Sequence, residues 1–347
     1  MTDSLNFLDA VAGLPEQLAA AHEAASEIHS NAFATADGVR NIVVCGMGGS
    51  GISGDVIAAA FNDELPLPVT VLKQMRMPAF VGRETLVFAV SYSGDTEETL
   101  SMAGSAARQG ARLVAISRGG ALEQVARDAG GLHIPCPDGY LPRAAIGALV
   151  APLVVTLFRM GLAPGGHANL VRAQEQLARR RDRCRPEVDG TGNPAREIAR
   201  RIDGTIPLIY GGGALGGVAA YRWKCDVNEN AKAPAFWHSY PELDHNEICA
   251  WGQHGDVTRQ LISLVELRHG FEHPRLGLRF DATRELIEEC VHQVLCVEAE
   301  GEGRLAQLLD LMYVGDWVSC YSALQRDVDP GPIDAIFALK SRLADTQ

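Results

Sequence analysis

Short apolar, β-branched runs recur through the first half of the chain. Each ends in a polar or glycine-rich stretch, and most lead on to residues with helical spacing. Residues 42–45, 69–72, 86–90, 112–116 and, more weakly, 132–134 read as strands. Ahead of them, residues 13–36 are Ala-rich with few strand formers and predict one long helix. Further helices are predicted near 52–61 and over TEETLSMAGSAARQ. The most apolar stretch, residues 144–158, is interrupted by Gly147 and Pro152 and ends at Arg159. It is too short to span a bilayer and predicts a buried helix. Strands alternating with helices mean βαβ units and a mostly parallel sheet covered on both faces.

Residues 163–195 break this pattern. PGG, ARRRDRCRP and DGTGNP predict a basic helix and a turn-rich connection. A second alternation follows: residues 206–210 end in GGGALGG and lead into a helix through Asn228. Strands are predicted at 261–267 and 294–297, with helices near 283–290, 303–326 and 332–343. The strand, Gly-rich turn and helix at 42–61 therefore return at 206–228, which predicts two similar α/β halves. The expected boundaries are 1–162, a linker at 163–195, and 196–347.

A length of 347 residues fits about two domains. With 47% hydrophobic and 21% charged residues, disorder is excluded as the main state. A net charge of −12 makes the chain a poor non-specific binder of nucleic acid or anionic membrane. Any anionic ligand must be held locally, by backbone amides or a few chosen cations. The 8 cysteines form no CxxC pair and read as scattered reduced thiols. MTDSLNFLDA has neither a basic n-region nor an apolar h-region, so a cytoplasmic location is expected.

Two loops carry candidate chemistry. Gly46-Met47-Gly48-Gly49-Ser50-Gly51 follows a strand and fits G-x-G-x-x-G. A dinucleotide site also needs an acidic residue at the end of the next strand. Here Lys73-Gln74-Met75 follow that strand, while Asp63 and Glu64 precede it. A glycine turn that merely packs helix on strand is the plain alternative. The second loop, Ser91-Tyr92-Ser93-Gly94-Asp95-Thr96, also closes a strand and opens a helix. A helix N-terminus binds phosphate without lysine, which suits an acidic protein. Ser50, Ser91, Ser93 and Thr96 on neighbouring strand ends would enclose a phosphate monoester. N-capping is the competing explanation for Thr96, and the Asp95 carboxylate must point away from an anion.

The segment from Arg222 to Lys232 places Glu229 between two Asn residues near a predicted helix C-terminus, an unfavourable place for an ionised carboxylate on dipole grounds. His245 sits among the polar residues of PELDHNE. A Glu and a His converging over a phosphate site perform proton chemistry near neutral pH; solvation at the surface accounts for their spacing equally well.

GMGGSGISGD, SYSGDTEETL, Pro142-Arg143-Ala144-Ala145, RWKCDVNENAKAPAFW and PELDHNEICAW together resemble the bifunctional phosphoglucose/phosphomannose isomerase family of sugar isomerase domain proteins. The likeness runs in order from about residue 40 to the C-terminus. It implies two three-layer α/β/α sugar isomerase subdomains and an aldose–ketose isomerase that uses no metal and no cofactor. By resemblance, Gly48, Gly49, Ser50, Ser91, Ser93 and Thr96 hold the phosphate of a sugar 6-phosphate. Glu229 moves a proton between C2 and C1 through a cis-enediol, and Arg143 stabilises the developing charge. His245 assists ring opening and comes from the neighbouring subunit of a homodimer whose active site lies at the interface. Lys340 is the positional match for a second ring-opening residue. The family has a Thr near the C-terminus that admits both C2 epimers. Gly331 stands there, and Asp95 stands where Asn is common. These departures motivate a second reading, a non-catalytic sugar-phosphate-binding regulatory protein. An NAD-dependent enzyme, a third reading, rests on GMGGSG alone.

Weaker signals remain. His269 and His273 have i,i+4 spacing, but Gly270 and Pro274 speak against one helix presenting both to a metal. The basic run 179–185 reads as a solvated face or dimer salt bridges before it reads as a nucleic-acid surface. Trp237 and His238 are candidates for pocket lining or for packing.

Overall fold

The computed structural model describes residues 2–29, 32–33 and 35–344. The chain divides into two compact units, one of Gly13–Arg179 with Glu300–Asp310, the other of Met1–Ala12, Arg180–Ala299 and Leu311–Gln347. A short helix, α1 (Phe7–Ala12), opens the chain and belongs to the second of these.

In the first unit α2 (Leu14–Glu27) precedes β1 (Asn41–Cys45). There follow α3 (Gly48–Ala60), β2 (Val69–Leu72), β3 (Thr85–Val90), α4 (Glu97–Arg108), β4 (Arg112–Ser117), α5 (Ala121–Asp128), β5 (Leu132–Pro135), α6 (Ile146–Arg159) and α7 (Gly166–Cys184). The strands form one sheet in the order β2-β1-β3-β4-β5, and every pairing is parallel. All six residues of β3, the central strand, are buried, as both-face coverage requires. Val43, Cys45, Val87, Ala89, Leu113 and Ala115 face α4 and α5 through Met102, Ala103, Leu122 and Ala126. The alternate residues face α3 and α6. Gly54 of α3 lies so close to Val44 that a Cβ there would stand 2.7 Å from its Cγ1.

The helix predicted over 13–36 stops at Glu27, where Ile28 takes an extended conformation (φ −62°, ψ 127°). Ile, His, Ser and Asn then follow in sequence, and each favours a helix less than the alanines before it. Residues 30, 31 and 34 of that stretch lie outside the described residues. The helix predicted near 52–61 starts earlier, at Gly48, inside the glycine-rich loop.

The second unit continues with α8 (Pro194–Ile202), β6 (Ile206–Gly212), α9 (Gly213–Asn230), β7 (Phe236–Tyr240), α10 (Gly255–Leu261), β8 (Ile262–Arg268), α11 (Pro274–Ile287), β9 (Gln293–Glu298), α12 (Arg304–Leu324) and α13 (Asp334–Ala344). Its sheet, β7-β6-β8-β9, is again wholly parallel and repeats the order of β2-β1-β3-β4. Leu208, Tyr210, Tyr240 and Leu264 pack against Leu276, Phe280 and Ile287 of α11. On the opposite face Gly217 of α9 lies against Ser239 of β7. Strand β7 and the start of α11 were not legible as such. FWHSY has strand-forming residues, but Phe236 and Trp237 are exposed at a sheet edge and give no apolar alternation. Pro274, which counts against a continuing helix, is here the first residue of α11, with His273 capping it through the Arg275 amide. No helix among the described residues is long and apolar enough to cross a membrane.

One side chain ties the first unit's helices together. Gln17 of α2 is fully buried; its Oε1 accepts from the Gly147 and Ala148 amides at 2.7 and 3.2 Å, and its Nε2 donates to the Ala144 carbonyl at 2.9 Å. It thus caps the start of α6 from another helix. Gln17→Leu keeps the bulk and orphans three buried backbone groups. It should lower the unfolding free energy by about 2–4 kcal/mol, read as a lower urea midpoint at unchanged m-value.

Candidate active site

The candidate residues fall into two sets, one on each unit. In the first unit the strand order reverses beside β1: its crossover goes out to β2 and the chain returns to β3 on the other side. Ligands of open parallel sheets bind at such a reversal, outside the carboxyl ends of the strands. The loops that leave β1 and β3 there are GMGGSG and SYSGDT.

Gly46 can only be glycine, since a Cβ would lie 2.7 Å from the Val90 carbonyl oxygen. That contact brings the end of β1 against the end of β3. Gly48 takes φ +52°, turning the chain sharply into α3. Gly48, Gly49 and Ser50 are therefore the first turn of a helix whose N-cap residue, Met47, offers no side-chain acceptor. The second loop is as tight: at Gly94 (φ +80°) a Cβ would fall 1.8 Å from the Gly119 carbonyl oxygen.

The hydroxyls settle the question of Thr96. It stands at the N-cap of α4 but makes no side-chain capping bond. Its Oγ1 instead meets Ser91 Oγ at 2.9 Å, and Ser91 Oγ also accepts from the Gly94 amide at 3.1 Å. Ser93 Oγ lies 3.5 Å from Ser91 Oγ, and Ser50 Oγ accepts from the Tyr92 amide at 3.4 Å, joining the two loops. Asp95 turns away: its Oδ1 accepts from the Ala121 amide at 2.9 Å, at the start of α5. Two helix N-termini without side-chain caps, each with partial positive charge, thus open beside a cluster of hydroxyls. Arg143, on the single turn Pro142–Ala144 that enters α6, is buried. Lys73 follows β2, where a dinucleotide site needs an acid, and pairs with Asp55 of α3. Burial pushes the Asp55 carboxyl up, against the pull of Lys73.

The equivalent reversal in the second unit is filled by the chain itself. A Cβ on Gly212 would lie 2.6 Å from Glu272 Oε1. That carboxylate accepts from the His269 amide at 3.0 Å and pairs with Arg268 at 2.8 Å. His269 Nε2 meets the Gly212 carbonyl at 2.8 Å, and His273 caps α11. Both histidines are thus engaged by the fold. Among the described residues no group of three or more His, Cys, Asp or Glu is placed to hold a metal ion.

Glu229 lies in the last turn of α9 and lines a cavity of about 540 Å³ with Asn228, Lys232, Asp329, Pro332 and Ile336. Lys232 Nζ donates to the carbonyls of Asn230, Asp329 and Pro330, tying the cavity's far wall to the helix end. Slight burial of Asp329 opposes its charge, but bonds from Ser4 and the Gly331 amide, with Lys232 nearby, hold its carboxyl below the usual range. A Cβ on Gly331 would stand 2.9 Å from Leu5 Cβ, so a threonine enters only if Leu5 moves.

His245 ends a 3-10 turn, Glu242–His245, and is exposed. The turn beneath it is anchored: Leu243 is fully buried, Asp244 accepts from Arg279 and Thr283 at 2.7 and 3.1 Å, and Tyr210 donates to Glu247. The fold therefore holds the backbone still and presents the imidazole outward. Lys340 lies exposed on α13, beside the exposed Phe337 and Leu339.

Comparison with known proteins follows this division. Residues 38–158 match the SIS domain model, and residues 191–343 match the model of the bacterial phospho-glucose isomerase C-terminal SIS domain. Among solved structures, the C-terminal domain of glucosamine-fructose-6-phosphate aminotransferase from Francisella tularensis is similar, with a TM-score of 0.69 at 15% identity over 94% of this chain and 98% of that one. A glucose-6-phosphate isomerase like protein from Thermus thermophilus is similar with a TM-score of 0.56 at 22% identity, over 96% and 99% of the two chains. These likenesses show the fold. The curated relatives include a bifunctional phosphoglucose/phosphomannose isomerase from Aquifex aeolicus, 32% identical over 88% of this chain and 90% of its own length. Its counterpart from Caldicellulosiruptor bescii is 36% identical over 98% of this chain and 99% of its own length. A match of that extent, with both halves covered, shows that the chain belongs to the bifunctional phosphoglucose/phosphomannose isomerase family.

Proposed function

We propose that this protein interconverts glucose 6-phosphate, mannose 6-phosphate or both with fructose 6-phosphate, by proton transfer through a cis-enediol. The observation that carries the reading is the pair of uncapped helix N-termini, joined by Ser50, Ser91 and Thr96, at the sheet's point of reversal. The names of the family's curated members supply the substrate class.

In this reading the amides of Gly48 and Gly49, with the hydroxyls of Ser50, Ser93 and Thr96, take the phosphate, and Ser91 holds the second loop in shape. The Glu229 carboxylate removes the proton on C2 of the open-chain aldose, and the electron pair moves onto the C1 carbonyl oxygen. A proton passes from the C2 hydroxyl to the C1 oxygen, and as the C2 carbonyl forms, Glu229 returns its proton to C1, which completes the ketose. Arg143 stabilises the enediolate oxygen, where a fixed cation in a buried site acts most strongly. The intermediate has no stereocentre at C2, so one carboxylate serves either epimer. His245 and Lys340, both exposed, assist ring opening, with His245 supplied by the partner subunit of a homodimer at an interface site. The chain acts in the cytoplasm. Nothing in these steps changes an oxidation state outside the sugar, so the side chains suffice.

Three measurements test this. With each aldose tested in turn and fructose 6-phosphate detected, turnover of at least one should proceed equally with and without chelator. Glu229→Gln should lower kcat by about 10³-fold or more while fructose 6-phosphate still binds in calorimetry; retained activity would show that another group is the base. Thr96→Val, which removes one hydroxyl and leaves the helix start uncapped, should raise KM about 10-fold, as expected for the loss of one hydrogen bond to a charged group, and leave kcat within a factor of a few.

A further inference from the structure

Beyond Gln17, α2 carries a second side chain that joins it to another helix of the first unit. His22 faces His167, in the first turn of α7. His22 Nε2 and His167 Nδ1 are hydrogen-bonded to each other. The two ring centroids lie 4.7 Å apart, with the planes tilted by 40°. Phe158 of α6 meets His167 edge to face, with centroids 4.3 Å apart and planes at 76°. Both imidazoles are half-buried. Among the described residues neither is paired with a carboxylate.

The charges around the pair are few. From α6, Arg159 Nη2 donates to the Ser26 carbonyl of α2 at 2.8 Å, and its cation acts on His167. On α2 itself Glu23 and Glu27 are exposed, as is His29 beyond the helix end. On α7 the next charged residue is Arg172, which donates to Asn169.

A hydrogen bond between two imidazoles needs one nitrogen that carries a hydrogen and one that is bare. The neutral pair meets this condition, and so does the pair with one added proton. With both rings protonated, each of the facing nitrogens carries a hydrogen. The contact then becomes a repulsion between two cations, with Arg159 as a third nearby. We propose that His22 and His167 form an acid-released latch, which clamps α2 to α7 while the pair holds at most one added proton and frees α2 when both rings are charged. Gln17 moves with α2, so its bonds to the Gly147 and Ala148 amides and to the Ala144 carbonyl open as well. Those bonds border the turn Pro142–Ala144, which carries Arg143. Burial of Leu14, Leu18, Ala21 and Ala25 still holds the helix. Protonation therefore raises the population of an open form and does not unfold the unit.

The surroundings favour the closed, uncharged state at neutral pH. Burial lowers both imidazoles below their ordinary value, His167 adding to the effect on His22 and Arg159 to that on His167. A group lowered in the closed form takes its proton more readily in the open one. The latch is thus at full strength above the ordinary histidine value, near 6.5, and weakens as the pH falls through it toward the lowered values.

A copy of the latch that does not titrate provides the test. His22→Gln puts an amide where Nε2 stood, and His167→Asn puts one where Nδ1 stood. The double variant keeps a hydrogen bond and loses the titration. Hydrogen exchange, corrected for the intrinsic effect of pH, reads the opening of α2 directly. In the native chain the α2 amides, with those of Gly147 and Ala148, should open about 10-fold or more often at pH 5 than at pH 7. In the double variant the rise should be about 2-fold or less. An equal rise in both proteins would mean that other groups cause it, and the latch is wrong. No rise in the native chain would make the pair purely structural, and the latch is equally wrong. Imidazole NMR titration of the native protein needs no variant. The two rings should titrate below 6.5 in coupled steps, the second accompanied by faster exchange of the α2 amides. Independent titration of both rings at the ordinary value overturns the latch. Neither measurement involves turnover.

Discussion

The close approach of backbone to backbone at the ends of the strands is the constraint on which the loops after β1 and β3 depend. Gly46 lies against the Val90 carbonyl and Gly94 against that of Gly119. A methyl group at either place would force the strand ends apart, because interiors pack too densely to absorb it. With the strand ends drawn together, Ser50 reaches the Tyr92 amide, and two helix N-termini open beside one another.

That arrangement answers an electrostatic problem set by composition. A chain with net charge −12 cannot attract a phosphorylated sugar by its overall field. Fixed peptide dipoles at helix ends provide local positive potential without adding lysines. It matters, then, what the fold does with nearby carboxylates. Asp95 is spent on capping α5, and Asp55 is paired with Lys73, so neither presents a free charge to the loops.

The two units share a strand order and a glycine-rich first turn but differ in what fills it. In the first unit hydroxyls and amides line the turn; in the second Glu272, held by Arg268 and the His269 amide, lies against Gly212. The second unit's candidate residue lies instead at the far end of α9, where Glu229 meets a cavity and Lys232 ties the opposite wall in place. The same buried helix carries Arg222 and Asp226, so the candidate base stands on an element fixed by a polar ladder rather than on a mobile loop.

Periodicity and glycine placement in the sequence by themselves determined the α/β class, the parallel strands and the repeated strand–turn–helix unit, because a strand buried on both faces must be written as an apolar run. The motifs around Gly48, Ser91, Glu229 and His245 were visible as well, because glycine- and hydroxyl-rich turns and clusters of polar residues stand out against the apolar runs beside them. Only the tertiary structure decided what each side chain does. Thr96 turned from a cap into a partner of Ser91, Asp95 was directed to α5, and Glu272 closed the second turn. The edge strand β7 also escaped the pattern, because an exposed strand need not alternate. Hydrogen bonds between residues distant in sequence, such as Gln17 with Gly147 or Arg222 with Asp316, depend on distances and angles set only when the helices pack. No one-dimensional pattern records those angles, which is why the elements could be read along the chain and the roles of the side chains could not.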